Sequence, residues 1–140
     1  MRVETTVAAR VENLAEVRAF VERACAEAGA DPRAASDLKL AVDEVCANII
    51  EHGYPGRDDG AIGIACEDEN GMLRVTVTDN GRSFSPEDIP KADTSSGWEE
   101  RPVGGLGWHL IRRSVDDVDY RPDPVRGNRL TLVKRLPDQD

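Results

Sequence analysis

The chain has 140 residues, enough for one domain that buries about 70% of the surface its unfolded form would expose. A net charge of -9 with 39% hydrophobic residues is typical of an acidic globular protein, and it argues against nucleic acid or an anionic membrane as the main partner. The longest apolar runs are far shorter than a membrane span and the first residues begin no signal peptide, so we expect a cytoplasmic protein.

The cysteines are odd in number and widely spaced: Cys25, Cys46 and Cys66. No CxxC or Cys/His metal spacing occurs, so the sequence supports neither a disulfide framework nor a zinc site. Cys46 and Cys66 fall within periodic segments, which indicates small core residues.

The first two elements are predicted to be a strand and a helix. Residues 3–10 are rich in β-branched side chains and begin the chain, which predicts a strand at a sheet edge. Asn13 and Glu16 have the spacing of a capping box, and an apolar stripe at helical spacing then predicts a helix that ends at Gly29. We expect this helix to cover the sheet or to form part of a partner surface.

Residues 31–53 predict one long helix, around which the rest of the chain is organised. Asp31 is a good N-cap, Pro32 fits the first helical position, and Gly53 stands where a left-handed terminating residue is expected. Apolar residues at three- and four-residue spacing predict the buried face: Leu38, Val42, Val45 and Ile49.

A polar stripe borders that apolar face. It consists of Glu44, Asn48 and His52, and each four-residue step turns only about 40° and rises about 6 Å, so the three groups stand in a row. An acid, an amide and an imidazole beside an apolar face are not residues that packing of the helix requires. On these three residues alone, a solvated helix flank is the simpler interpretation, because polar residues mostly lie outside.

Two alternating runs follow, joined by Asn70 and Gly71, the strongest short-range hairpin signal. The period of two predicts the core-facing residues of the two strands: Ile62, Ile64, Cys66, Leu73, Val75 and Val77. Asp79 has the same parity and ends the core-facing row. A buried carboxylate needs a partner in the protein or in a ligand, and the alternative is that Asp79 only caps the turn leading to Gly81.

Residues 82–103 show no sustained period and contain three prolines, which is typical of a functional lid or a disordered segment. The loop leads into a glycine run that opens a helix: Gly104, Gly105, Leu106 and Gly107. Bare backbone N–H groups at a helix start suit a phosphate. The run alone is a weak signal that a plain helix-start turn also explains, and it matches neither a Walker A motif nor a dinucleotide-binding motif.

Residues 117–120 and 129–135 are predicted to close the chain as a second hairpin. The order is therefore strand, two helices, two strands, lid, helix and two strands. We predict a single domain over residues 1–140 with a lid over about 82–107. Its fold class is an α/β (α+β) two-layer sandwich, with a mixed, largely antiparallel sheet and its helices on one face.

In their chain order, these polar features resemble the GHKL ATPase superfamily with its Bergerat ATP-binding fold. The N, G1 and G2 boxes of that superfamily match EVCANIIEHGY, DNGRSF and GGLGWHLI here. Within it, the chain is most similar, over nearly its whole length, to the small stand-alone anti-sigma-factor serine/threonine kinases of bacteria. Each box is moderately specific, and all three at compatible spacing are a strong signal.

The resemblance implies ATP and Mg²⁺ as cofactors and a role for each matching residue. Asn48 would ligate the Mg²⁺ that bridges the phosphates, and Glu44 would orient or deprotonate the attacking hydroxyl. Asp79 would accept a hydrogen bond from the adenine amino group, and Gly81 would let the backbone pass close to the base. The lid residues would fold around the phosphates: Gly104, Gly105, Leu106 and Gly107.

A basic residue near the γ-phosphate is also expected, because phosphoryl transfer needs charge neutralisation. Arg101, near the end of the lid, is the candidate within this chain, and Arg82 is a second possibility. For His52 we favour a structural role.

Two departures from the family pattern occur. Trp108 and His109 follow the glycines where smaller or aliphatic residues are frequent, which we expect to alter lid packing, with His109 facing solvent or the lid. Asn128 stands where threonine is common before the last strand, which we expect to weaken one adenine-side contact.

The function implied by the resemblance is an ATP- and Mg²⁺-dependent protein serine/threonine kinase. It would phosphorylate a STAS-type anti-anti-sigma protein, sequester a sigma factor, and form a homodimer through the sheet edge or first helix. The alternative is a nucleotide-binding regulatory module without phosphoryl transfer, against which the acid at Glu44 argues. A third alternative, the catalytic half of a histidine kinase, is disfavoured because these residues hold no phosphoacceptor-helix hairpin. The remaining alternative is a small α/β sandwich protein that binds no nucleotide.

Overall fold

The computed structural model describes residues 1–54, 59–83 and 103–136, and of residues 103–107 only the backbone. Within these ranges the chain forms two layers, a five-stranded sheet and three α-helices packed on one of its faces. The strands are β1 (Arg2–Ala8), β2 (Ala61–Glu69), β3 (Met72–Asp79), β4 (Asp117–Arg121) and β5 (Asn128–Arg135). The helices are α1 (Leu14–Ala28), α2 (Pro32–Asn48) and α3 (Val103–Ser114). The predicted two-layer sandwich and its order of elements are confirmed.

The strands lie in the order β1-β2-β3-β5-β4, and each neighbouring pair in the described ranges is antiparallel. β1 is therefore an edge strand, as predicted. β2 and β3 form the predicted hairpin, and its turn residues Asn70 and Gly71 have φ values of 53° and 76°. Two successive positive φ values are those of a type I′ turn, whose twist matches that of the flanking strands.

The core lies between the inner face of the sheet and the helices. All the residues predicted for the inner face of the hairpin are buried: Ile62, Ile64, Cys66, Leu73, Val75 and Val77. α2 packs against both α1 and α3, so it is the central helix of its layer, as its apolar face predicts. The register then places Asp79 opposite Ile62 on one side and opposite Asn128 on the other.

The three cysteines are core residues. Cys25, Cys46 and Cys66 are all free and buried. Burial raises the pKa of these thiols to about 11, about 12 and about 12, respectively. They therefore stay protonated and act as small apolar side chains, which confirms the prediction for Cys46 and Cys66.

The start of α1 differs from the prediction. Asn13 makes no capping hydrogen bond, because its Nδ2 donates instead to the Ala8 carbonyl at 2.9 Å, and the predicted capping box with Glu16 is wrong. A single 3₁₀ turn, Val11–Asn13, leads into the helix. The predicted end is confirmed, since Gly29 has a φ of 77°.

The end of α2 also differs. Asp31 caps its start as predicted, with Oδ1 accepting from the Ala34 amide at 2.8 Å. The α-helix ends at Asn48, and a π-helical turn, Ile49–Gly53, follows it. Gly53 does not have a positive φ, so its predicted role as a left-handed terminator is wrong. Its carbonyl instead accepts from the Arg82 amide at 2.6 Å, which satisfies the helix end through tertiary structure.

α3 begins at Val103, so the glycine run lies in its first turns and not in the preceding loop. The predicted lid, over about 82–107, therefore overlaps the first turns of this helix. Among the described residues, no helix is both long and apolar enough to cross a membrane.

Candidate functional site

The end of α2 and the turn after β3 are in direct contact. Besides the bond from the Arg82 amide to Gly53, the backbone of Gly81 lies against the same carbonyl. A Cβ at Gly81 would lie 2.5 Å from the Gly53 oxygen, so only glycine fits this approach. The contact joins the helix that carries Glu44 and Asn48 to the strand that ends at Asp79. A π-helical turn at this junction is a feature frequent at functional sites.

Asp79 is buried, at 6% relative exposure. Its Oδ1 accepts from the Gly81 amide at 2.8 Å and from Asn128 Nδ2 at 3.1 Å. Burial raises the pKa of this carboxyl, while the hydrogen bonds from Asn128 and Gly81 act in the opposite direction. Its Oδ2 has no hydrogen-bond partner among the described residues. Asp79 therefore caps its turn and also has a protein partner, Asn128, for its buried carboxylate; the ligand role of the carboxylate stays a prediction.

Asn128 is bonded to Asp79, in contacts that the sequence did not predict. It is 2% exposed, and besides Asp79 its Nδ2 also donates to the Gly81 carbonyl at 3.0 Å. Its Oδ1 accepts from Ser83 Oγ at 2.6 Å and from the Asp123 amide at 3.4 Å. One carboxamide thus links β5, the end of β3 and the first residues of the predicted lid. A threonine hydroxyl has one proton and could not make both donations.

Replacing Asn128 by leucine is expected to lower the free energy of unfolding by about 2–3 kcal/mol, because it leaves several buried polar groups without partners. Urea denaturation followed by circular dichroism measures the change. Asn128→Thr should lose less, since a hydroxyl restores one donor. Thr131→Ala on the same strand is the control, and an equal loss in Asn128→Leu and Thr131→Ala would contradict the assignment.

Tyr54 braces the same turn from the other side. Its hydroxyl accepts from the Asn80 amide at 2.8 Å and donates to the Ala61 carbonyl at 2.8 Å. The ring is buried and lies against Gly60, where a Cβ would approach it to 2.5 Å. The sequence alone does not indicate this role, because the partners of Tyr54 are Ala61 and Asn80, which are distant from it in the chain.

Asn48 and Glu44 stand one turn apart at the C-terminal end of α2. Asn48 is 8% exposed, and its Nδ2 is buried without a hydrogen-bond partner among the described residues. A buried amide N–H without an acceptor is costly in a protein and suits a ligand that supplies one, such as a phosphate oxygen. Glu44 is half-buried, and burial first and then the neighbouring Asp43 raise the pKa of its carboxyl.

The residues present fit a Mg²⁺ bound mainly through phosphates. Within the described ranges, no group of three or more His, Cys, Asp or Glu side chains could hold a metal ion. Mg²⁺ in phosphate sites is commonly held by one or two protein oxygens together with the phosphates and water. The carboxamide of Asn48 could supply one such neutral oxygen.

The other predicted site residues belong to α3, to the turn after β3 and to the predicted lid. The first turns of α3 contain Gly104, Gly105, Leu106 and Gly107. Arg101 lies outside the described residues. Arg82 is exposed.

Three aromatic residues of the sequence analysis lie near the site residues on α2 and α3: His52, Trp108 and His109. His52 lies in the π-helical turn, so it leaves the four-residue row of Glu44 and Asn48, and its side chain is 48% exposed. His109 is half-buried. Trp108 is buried and packs on Tyr120 of β4 with a ring distance of 6.3 Å, which anchors α3 to the sheet.

Known proteins resemble the whole of this arrangement. Residues 7–134 match the family described as "Histidine kinase-like ATPase domain". "Serine-protein kinase RsbW" of Listeria monocytogenes serotype 4a (strain HCC23) is 32% identical over 121 residues, which cover 84% of this chain and 77% of the relative. The protein of the same name from Bacillus thuringiensis (strain Al Hakam) is 30% identical over 126 residues, covering 87% and 78%. This chain belongs to the histidine kinase-like ATPase family and, within it, to the family of the RsbW serine-protein kinases. The resemblance found in the three boxes is confirmed, and the family is one of enzymes.

Solved structures show the same fold. The structure of the RsbU and RsbW domains of Rv1364c from Mycobacterium tuberculosis gives a TM-score of 0.71 at 24% identity, over 97% of this chain and 32% of that one. This chain thus spans less than half of that two-domain chain. The catalytic domain of the histidine kinase ThkA, in a nucleotide-free form, gives 0.57 at 17% identity over 96% and 97%. The predicted GHKL-type fold is confirmed.

Proposed function

We propose that this chain is an ATP- and Mg²⁺-dependent protein serine/threonine kinase. Its substrate is a STAS-type anti-anti-sigma protein, and the chain acts as an anti-sigma factor that sequesters a sigma factor. The observation that carries the proposal is the pair on α2: a half-buried acid, Glu44, one turn before a buried amide, Asn48, that lacks a partner among the described residues. The names of the curated relatives, serine-protein kinases, support the same chemistry.

Each residue of the site has a role in this proposal. Asp79 Oδ2 accepts from the exocyclic amino group of adenine, because its Oδ1 is held by Gly81 and Asn128. Asn48 provides the protein oxygen for Mg²⁺, which when bound neutralises charge on the phosphates. Glu44 orients the substrate hydroxyl and takes its proton as the hydroxyl attacks the γ-phosphate.

The start of α3 completes the phosphate side. The first turn of α3, which holds Gly104 and Gly105, offers free backbone N–H groups and the positive end of the helix dipole. Arg101 supplies the cation that stabilises charge on the transferred group. The lid glycines let this segment change conformation when ATP enters or ADP leaves.

The first experiment is calorimetric titration with ATP, with and without Mg²⁺, on the parent chain and on Asn48→Ala. We expect binding that depends on Mg²⁺ and that weakens by about tenfold to a hundredfold in the variant, because a ligand to a charged group is lost. Asn13→Ala removes a carboxamide that bonds to the Ala8 carbonyl and has no role in the proposed site, and it should bind like the parent. Unchanged Mg²⁺-dependent binding by Asn48→Ala would contradict the metal assignment, and absence of ATP binding by the parent would overturn the proposed function.

Transfer is tested separately, with γ-labelled ATP and a purified STAS-domain protein. Label that appears on a serine or threonine of that protein supports the kinase. ATP binding without transfer to any such protein would favour the nucleotide-binding regulatory module.

The homodimer and the cytoplasmic location that the resemblance implies are part of the same proposal. Light scattering tests the homodimer, and cell fractionation tests the cytoplasmic location.

A further inference from the structure

A half-buried lysine ties together three elements at the end of the molecule away from Asp79. Lys134 on β5 donates from Nζ to Asp37 Oδ2 of α2 at 3.0 Å and to the Ser114 carbonyl of α3 at 3.0 Å. The side chains of Lys134 and Asp37 are only 16% and 32% exposed. We call this arrangement the Lys134 clasp.

The clasp satisfies the end of α3. Ser114 is the last residue of that helix, and its carbonyl is one of the terminal acceptors without an intrahelical donor. A cation is favourable there, because the C-terminal end of a helix carries partial negative charge. Ser114 itself is buried and donates from Oγ to the Leu110 carbonyl at 2.9 Å, so the last turn is held rigidly.

The clasp contacts α2 on the face that carries the two proposed site residues. Glu44 and Asn48 both lie within about 20° of Asp37 around the helix axis, so all three share one face of α2. Asn48 lies about 16 Å further along that axis. The clasp therefore fixes α3 on the same face of α2 that carries the two proposed site residues.

The two hydrogen bonds of Lys134 imply an antiparallel course of α3 along this face of α2. The clasp joins the last residue of α3 to the first half of α2, and α3 packs along α2. On that course, because α3 also spans about 16 Å, its N-terminal turns would lie at the level of Glu44 and Asn48. The distance along α3 from the clasp to the glycine run thus matches the distance along α2 from the clasp to Glu44 and Asn48.

We propose that Lys134 is a positioning residue for the phosphate side of the site: it sets the axial position of α3 on α2 and so aims the free amides of the first turn of α3, which include those of Gly104 and Gly105, at the phosphates of ATP. The inference rests on the proposed function, because it takes ATP as the ligand. Lys134 does not touch the nucleotide. It acts through the backbone of α3.

The test compares Mg²⁺-ATP with adenosine as ligands for Lys134→Met, which keeps the apolar stem of the side chain and removes its charge. We expect the affinity for Mg²⁺-ATP, measured by calorimetry, to fall roughly tenfold, since small misplacements of positioning groups weaken phosphate contacts strongly. The affinity for adenosine, measured by NMR titration, should stay unchanged. Lys134→Arg should restore ATP affinity, because a guanidinium can donate to both acceptors.

Two further variants control the comparison. Arg135→Met makes the same change of charge at the neighbouring position on β5 and should bind both ligands like the parent. Asp37→Ala leaves Lys134 bonded to α3 alone and should lose an intermediate amount of ATP affinity, which keeps the test valid if Lys134→Met is unstable. Equal loss for ATP and adenosine, or no loss for either, would overturn the proposal. Failure of the parent to bind Mg²⁺-ATP would instead overturn the proposed function.

Discussion

Glu44→Gln is expected to slow phosphoryl transfer by about 10²–10⁴-fold and to leave the affinity for Mg²⁺-ATP nearly unchanged. The substitution keeps the shape of the side chain but removes its capacity to take a proton from the attacking hydroxyl. Loss of a general base costs about 10²–10⁴-fold in rate. Glu44→Ala should behave in the same way, because ATP binding is assigned to other residues.

The pH profile of transfer gives this prediction a second readout. Glu44 must be ionised to accept a proton, and burial followed by the charge of Asp43 raises its pKa above the ordinary value of 4.5. The parent should therefore lose activity as the pH falls through this raised pKa. The residual activity of Glu44→Gln should lack that dependence.

Glu51→Gln is the matched control. Glu51 is an acid at the same end of the helix, in the π-helical turn, and its side chain is 67% exposed. This variant should transfer phosphate like the parent. Rapid-quench measurement of labelled STAS protein checks the parent and all three variants, and full activity in Glu44→Gln would show that another group takes the proton.

The parts of the fold that the sequence predicted are those set by local pattern. Asn70 and Gly71 specify a tight turn by their own conformational preferences, and the alternation on either side then fixes which residues face the core. The same parity placed Asp79 on the buried face before any contact was known. Asp31 and Pro32 likewise mark the start of α2 through interactions within one turn.

The parts that could not be predicted depend on pairs distant in the chain. Asn128 reaches Asp79 only because β5 pairs with β3 in one register, and nothing local to either residue specifies that register. Asn13 donates to the Ala8 carbonyl instead of capping its helix because the strand before it supplies a competing acceptor. The π-helical turn escapes prediction because an apolar stripe at three- and four-residue spacing does not distinguish it from a final α-helical turn.

Asp79→Asn is expected to weaken ATP binding by about a hundredfold without unfolding the protein, because it turns an acceptor into a donor. Asparagine can keep its Oδ1 in place, accepting from the Gly81 amide and from Asn128. Its Nδ2 then occupies the position of the former Oδ2. The amino group of adenine would face another donor, and an unpaired buried polar group costs about 1–3 kcal/mol.

The stability of this variant should not fall with its affinity. The pKa of Asp79 in the folded chain lies above the ordinary value of 3.8 because of burial. The folded state therefore binds the proton more tightly than the unfolded state, and Asp79 destabilises the fold increasingly as the pH rises through this interval. Asparagine carries no charge to bury, so the midpoint of thermal unfolding at pH 7 should equal or exceed that of the parent.

Inosine triphosphate separates loss of recognition from general damage to the site. Its 6-oxo group accepts a hydrogen bond where adenine donates one, so it suits the amide of Asp79→Asn and opposes the carboxylate of the parent. The ratio of ATP to inosine triphosphate affinity, measured by calorimetry, should therefore fall steeply or invert in the variant. Asn80→Asp, at the neighbouring position, should keep the parent's ratio. An unchanged ratio in Asp79→Asn, or ATP affinity equal to that of the parent, would show that another group recognises the base.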